Sequence, residues 1–454
     1  INQKLVKPNN KENKMSDTST GYSDPNITPP MGEAVPLGLQ HVLAMFASNV
    51  TPSVIVAGAA GLAFGGAEQV YLIQMAMLFA GIATLFQTIG VGPVGARLPI
   101  MQGTSFAFVG VLAGIAATQG LGVALTSCVI AGLIHFALGS VISSIRSWFP
   151  PLVTGLVILA IGLYLIPVGI KYAAGGAADF QMNADSFGSM KHWAVALTVI
   201  VVALVCKFRT TGMLSNAAIL IGIVAGYILA FILGMVSFGG VAKASWIIGL
   251  QVMPYGFEFN LGAVIGVTLV SIVSAVETVG DASATTKAGA GRDATDEEIS
   301  GATYADGLGT AVAGVFGGLP NTSFSQNVGI VGMTGIMSRH VVSIAGLIMV
   351  ICGLLPKIGA LIASMPMPVL GGGVIVMFGM VAAAGMNVLS EVKMTRRNMV
   401  IIAISLTVGL GLNLVPSAVQ YLPGIVKTLA TSAVAPTAFL AIILNQILPE
   451  DVEA

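Results

Sequence analysis

From residue 37 to residue 448, long apolar stretches alternate with short polar connections. A helix of about 20 apolar residues crosses a bilayer, and by that measure the pattern predicts fourteen transmembrane segments. The first seven run 37–60, 68–91, 101–118, 121–145, 151–171, 191–206 and 213–236; the second seven run 258–281, 300–319, 322–338, 340–363, 367–387, 398–415 and 430–448. The third and tenth read poorly as plain helices. Segment 10 carries Asn321, Thr322, Ser323, Ser325, Gln326 and Asn327, then Gly329, Gly332 and Gly335 at a three-residue spacing; segment 3 is interrupted by the polar run 102–105. Irregular polar backbone at membrane depth is tolerated only against protein or a wet cavity. The pattern therefore predicts, in each of these segments, a short extended stretch. In segment 10 it leads into a half-helix beginning near Gln326, whose free N–H groups and partial positive charge point at an internal site.

Composition sharpens the class. The chain is 56% hydrophobic and 8% charged, against about 25% charged in soluble proteins, so an all-α polytopic membrane protein is expected. The 57 glycines suit close helix packing in lipid. Net charge is zero and no basic patch marks a nucleic-acid partner. Cys128, Cys206 and Cys352 are scattered in apolar runs and form neither a metal spacing nor a disulfide framework. No nucleophile–base pair, metal-ligand cluster or phosphate loop is present, so neither an enzyme nor a cofactor is expected. Residues 1–36 read as a disordered cytoplasmic tail and not as a signal peptide. Met15 reads as a natural start, which makes 1–14 an upstream remnant.

Arginine orients the segments. With the N-terminus in the cytoplasm, Arg97, Arg146, Arg209, Arg292, Arg339, Arg396 and Arg397 all fall in cytoplasmic connections, together with Lys207, Lys287 and Lys393. The opposite connections hold only Lys171, Lys191, Lys243, Lys357 and Lys427, a bias in the positive-inside direction. Both termini are then cytoplasmic. An internal repeat is also visible. Thr104-Ser105-Phe106 recurs as Thr322-Ser323-Phe324, and Pro151, Gly155, Val157 and Ile158 match Pro368, Gly372, Val374 and Ile375. Seven segments per repeat is an odd number, so the second copy must be inverted. Inverted repeats with a discontinuous segment at equivalent places mark a secondary transporter with its site at the midplane.

Within the spans the acids are Glu277 and Asp306, with Asp281 one turn after Glu277. A carboxylate in the hydrocarbon region costs several kcal/mol unless it is protonated, paired or wet, which makes it a functional candidate and a candidate proton carrier. Asp281 reads equally well as the wet cytoplasmic end of its helix. Glu277 can accept two ring N–H bonds, the amides after Gln326 can donate to ring carbonyls, Gln326 and Asn327 can do both, and Phe106 or Phe108 can stack on a flat ring. A nucleobase satisfies all of these. His41 beside Gln40 reads as a packing residue or as an orienter of polar neighbours. His135, His192 and His340 have no partner visible in the sequence.

These residues resemble a known family. The run 326–335, QNVGIVGMTG, is similar to the signature motif of the nucleobase–ascorbate transporters, also called nucleobase:cation symporter-2. The runs 274–281, 40–45, 102–106 and 305–307 resemble that family's eighth, first, third and ninth spans. The resemblance covers about 36–448. It implies fourteen segments in two inverted repeats, a core domain from 37–147 and 258–363, and a gate domain from 148–236 and 364–448. It also implies a homodimer in the cell membrane and coupling to an ion, expected to be H+. Carried over, Glu277 and Gln326 hold the base, and Asn327, Ser105 and Phe106 shape the pocket. Asp306, Asp281 and His41 support the site or its coupling. Uracil permeases tend to carry a second acid where Gln326 stands and a histidine where Asp281 stands. Ascorbate carriers tend to have proline at Gln326, and xanthine-restricted members asparagine at Ser105. The expected substrates are uric acid and xanthine. The alternatives are a uracil or other pyrimidine carrier, or an anion exchanger or channel on the same fold.

Overall fold

A computed structural model describes residues 23–449 apart from 177–178 and 181; Met15 and the expected tail up to residue 22 lie outside the described residues. The chain is predominantly helical. Its helices of eight or more residues are α1 (Met31–Ala59), α2 (Ala67–Ile89), α3 (Val109–Gln119), α4 (Leu121–Leu138), α5 (Pro151–Ala173), α6 (Met190–Arg209), α7 (Ala218–Ile232) and α8 (Leu261–Ala290). They continue with α9 (Asp296–Val315), α10 (Ser325–Thr334), α11 (Arg339–Leu354), α12 (Pro356–Ala363), α13 (Met367–Ser390), α14 (Arg396–Leu414) and α15 (Val434–Ile447). Among the described residues, eight helices are long and apolar enough to cross a membrane, or nine if α11 and α12 form one bent span. The protein is an integral multi-pass membrane protein.

The third and tenth segments depart from helix as expected. Each opens with a three-residue strand, β1 (Gln102–Thr104) and β2 (Asn321–Ser323), and the two pair antiparallel with Gly103 opposite Thr322. The ladder continues symmetrically at both ends. The Ser105 amide donates to the Pro320 carbonyl and the Phe324 amide to the Met101 carbonyl, each at 2.9 Å. Under this local two-fold Ser105 corresponds to Phe324, one residue out of step with the Thr-Ser-Phe match in the sequence. Three further strand amides are met by helix side chains. Gln102 donates to the Thr84 hydroxyl at 2.9 Å, Thr104 to the Asn49 side chain at 2.8 Å, and Asn321 to the Thr310 hydroxyl at 3.0 Å. Backbone that cannot reach water must find such acceptors.

Several boundaries differ from the hydropathy reading. α1 begins at Met31, not 37, because Pro30 sets the start and Glu33 in the first turn favours the positive helix end despite its polarity. α8 does not stop at 281 but runs to Ala290, where Gly291 at φ 65° ends it. Its polar last turns lower hydropathy without breaking the helix. Asp281 therefore sits inside the helix and is buried, not at a wet end. Segment 11 is broken between α11 and α12, which meet at 79° where Pro356 removes a donor. α10 starts at Ser325, one residue before the expected place, and ends at Gly335 in the left-handed conformation.

Packing divides the helices into two groups. α5, α6, α7, α13, α14 and α15 pack on one another, with α5 lying along α13. The others form a second group in which α2 packs on α11, α4 on α9, α1 on α11 and α8 on α4. The groups meet chiefly through α1 and α8; α1 touches α7 and α13, and α8 touches α5 and α15.

Candidate functional site

β1 and β2 place two half-helix starts beside each other, and a cavity of about 370 Å³ lies against them. Thr104, Phe106 and Ala107 line it from the first half; Thr322, Ser323, Phe324, Ser325 and Gln326 line it from the second. α8 contributes Glu277. The other helix group supplies Ile158 and Ile161 from α5, and Met380, Val381 and Ala384 from α13. Lys207, Ser215 and Asn216 complete the lining at the C-terminal end of α6 and the turn after it. Phe106 is held edge-on against Phe378, with ring centroids 5.2 Å apart at 89°, so its flank toward the cavity is fixed.

The polar groups divide sharply by partnership. Neither the Glu277 carboxylate nor the Gln326 side-chain amide has a hydrogen-bond partner among the described residues, although both are half-buried. The Ser325 and Gln326 amides open α10 and likewise have no acceptor. Asp281 and Asp306, by contrast, are saturated. Asp281 accepts from the Ser323 and Ser325 hydroxyls at 2.6 and 2.8 Å, which ties α8 to the start of α10. Asp306 is fully buried and accepts from Gln102, Thr278 and Gln87. Thr278 in turn lies 3.5 Å from the Thr322 hydroxyl, which also accepts from Ser274. A file of hydroxyls thus runs from Asp306 to the cavity wall.

Other expected residues stand behind the wall. Asn327 is buried and turned away from the cavity. Its Nδ2 donates to the His41 carbonyl at 3.0 Å and to His41 Nδ1 at 3.1 Å, so His41 and Asn327 pin α1 to α10. Ser105 does not line the cavity; its Oγ accepts from the Ala107 amide at 3.3 Å and caps the turn that carries Phe106. Phe108 is buried and does not face the cavity. His135, without a visible partner in the sequence, meets the Ser271 hydroxyl at 2.7 Å. Sequence reasoning missed Asn49, Gln87, Thr278 and Thr310. Asn49 and Gln87 stand out as amides inside apolar helices, and that was the available signal; Thr278 and Thr310 carried none. Among the described residues no three His, Cys, Asp or Glu side chains converge on a metal position.

The model of a permease family, the nucleobase:cation symporter-2 family, matches residues 32–418. The chain belongs to this family. The permease is a transporter and not an enzyme. It is 35% identical over 417 residues to the xanthine permease of Bacillus subtilis, covering 91% of this chain and 93% of that one. It is also 35% identical over 436 residues to a uric acid transporter of Escherichia coli, covering 94% and 88%. Among solved structures, the permease shares its fold with the transmembrane domain of a cyanobacterial bicarbonate transporter. That match has a TM-score of 0.61 at 15% identity and covers 92% of this chain and 98% of that one.

Proposed function

We propose that this permease imports oxidised purines, uric acid and xanthine, by proton symport. The observation that carries the reading is the contrast in partnership. Among the described residues the side chains of Glu277 and Gln326 line the cavity with Phe106 and are left without protein partners, whereas Asp281, Asp306, Asn327 and His41 are engaged. A carboxylate, an amide and two free backbone N–H groups around one cavity match a ring that alternates N–H and C=O groups. Glu277 takes the ring N–H groups, Gln326 the amide-like edge, and Phe106 the ring face. Two relatives are named for xanthine and for uric acid, which supports the purine over the pyrimidine.

Protonation of Glu277 or Asp306 neutralises the loaded site, and the hydroxyl file through Thr278 and Thr322 gives Asp306 a route to the cavity. The loaded unit then moves against the rest. In this reading the core comprises 37–147 and 258–363, the gate 148–236 and 364–448, and α1 and α8 form the sliding contact. Fourteen spans in two inverted repeats are supported by the packing. The contact of α2 with α11 is mirrored by α9 with α4, that of α1 with α11 by α8 with α4, and that of α6 with α7 by α14 with α15. The permease functions as a homodimer with both termini cytoplasmic.

The test is uptake of labelled xanthine and uric acid, across external pH, in cells lacking their own carriers. Uptake that rises with acidity and collapses in Gln326→Glu is expected. Uracil uptake by the wild type, or purine uptake indifferent to Gln326, would overturn the assignment.

A further inference from the structure

The cavity carries a third unpartnered polar group. Lys207 is half-buried in the last turn of α6 and lines the same cavity as Glu277 and Gln326. Its ammonium makes no ion pair and no hydrogen bond among the described residues, where the ion pair found is Arg292–Glu298. Beside it the Asn216 side chain is also without a partner. The Ser215 hydroxyl donates to the Lys207 carbonyl at 3.1 Å and folds this turn back onto the helix. Among the cavity-lining residues Glu277 and Lys207 are the charged ones, of opposite sign. We infer that Lys207, with Asn216, forms a second binding station at the mouth of the cavity for the anionic form of the purine. This rests on the function proposed above.

The physical case is charge compensation. Urate is an anion in neutral and mildly acidic water, whereas xanthine at mildly acidic pH is largely neutral. An anion entering a slot walled by Glu277 meets a like charge. A cation lining the same cavity offsets that repulsion and holds the ligand while Glu277 exchanges its proton. Lys207 is among the basic residues that the sequence assigns to cytoplasmic connections, but a lysine serving only that role has no need to line the cavity. Asn216 adds a neutral donor and acceptor for ring carbonyls and N–H groups.

The experiment is equilibrium binding of labelled urate and xanthine to the purified full-length permease at mildly acidic pH, for wild type, Lys207→Met and Lys207→Arg. Methionine keeps the apolar stem and removes the charge. Loss of one partly exposed charge contact should weaken urate binding about fivefold, with xanthine changed less than about twofold and urate binding restored by arginine. The urate effect should also shrink as salt is raised. Equal losses for both purines, or unchanged urate binding in Lys207→Met, would overturn the station while leaving the transport reading intact. Failure of wild type to bind either purine would overturn both.

Discussion

Glu277 and Asp306 are acids on neighbouring helices with opposite surroundings, and single substitutions should separate their roles. Among the described residues Glu277 has no hydrogen-bond partner to lose. Glu277→Gln should weaken purine binding by roughly 10- to 100-fold, the worth of a charge-assisted hydrogen bond, and leave the unfolding temperature of the purified protein unchanged. Asp306→Ala should behave differently. It strands the Gln102 side-chain amide in a buried site, at about 1–3 kcal/mol for that orphaned group, and removes one of two acceptors from Thr278 and Gln87, which keep the Ser274 and Ala302 carbonyls. A lower unfolding temperature alongside lost binding is expected, and an Asp306→Ala protein that melts like wild type would sink this view. Both acids were legible in the sequence because a carboxylate inside an apolar run is rare. Their different environments were not, since nothing in the sequence ties Thr278 or Gln87 to Asp306 until packing brings them together.

At the scale of elements, the paired strands set the position of both half-helices. A Cβ on Gly103 would meet the Phe324 ring, Met45 Cε at 2.6 Å and Asn49 Oδ1 at 2.9 Å. Gly103→Ala should therefore force the strands apart, cost about 1–3 kcal/mol through overpacking, and reduce transport more than binding-site distance alone would suggest. Uptake and thermal unfolding measured together check this. A second element is stabilised from its end. Thr295 and Glu298 form a capping box at the start of α9, and Arg292 pairs with Glu298. Burial pushes the Glu298 carboxyl up, but hydrogen bonds from Arg292 and Thr295 outweigh it and hold the group below its ordinary value. Its contribution is present above pH 4.5, the ordinary value for a glutamate, and is lost as pH falls through the lowered folded-state value. Protection factors of the amides in the first turn of α9 should drop in that acidic window for wild type and show no such step in Glu298→Gln. The capping box is readable from Thr295 and Glu298 at their three-residue spacing. The break at Pro356 was not read because the flanking residues stay apolar, and hydropathy does not sense a missing amide.

The molecule as a whole has its cavity reaching the end of α6, where Lys207 and Asn216 lie. In the orientation proposed above, with both termini cytoplasmic, that end faces the inside and the permease stands open to it. Ala384→Cys, on the cavity wall, should then react with an impermeant maleimide in inverted membrane vesicles and be protected by xanthine. Reaction only from the outside would reverse the orientation. The helical class and the two irregular segments were visible from hydropathy, whereas the way the helices sort into two groups was not, because lipid-facing and protein-facing apolar residues look alike in a sequence. The β1–β2 ladder also has a consequence for synthesis. The strands lie roughly two hundred residues apart in the chain, so β1 waits on the order of 10–40 s for its partner at ribosome rates of about 5–20 residues per second. Thr84 and Asn49, already made, can take the Gln102 and Thr104 amides meanwhile. The central pairing at Gly103, the Ser105 amide and the Met101 carbonyl must wait, and a first half expressed alone would keep that backbone bare until a separately made second half arrived.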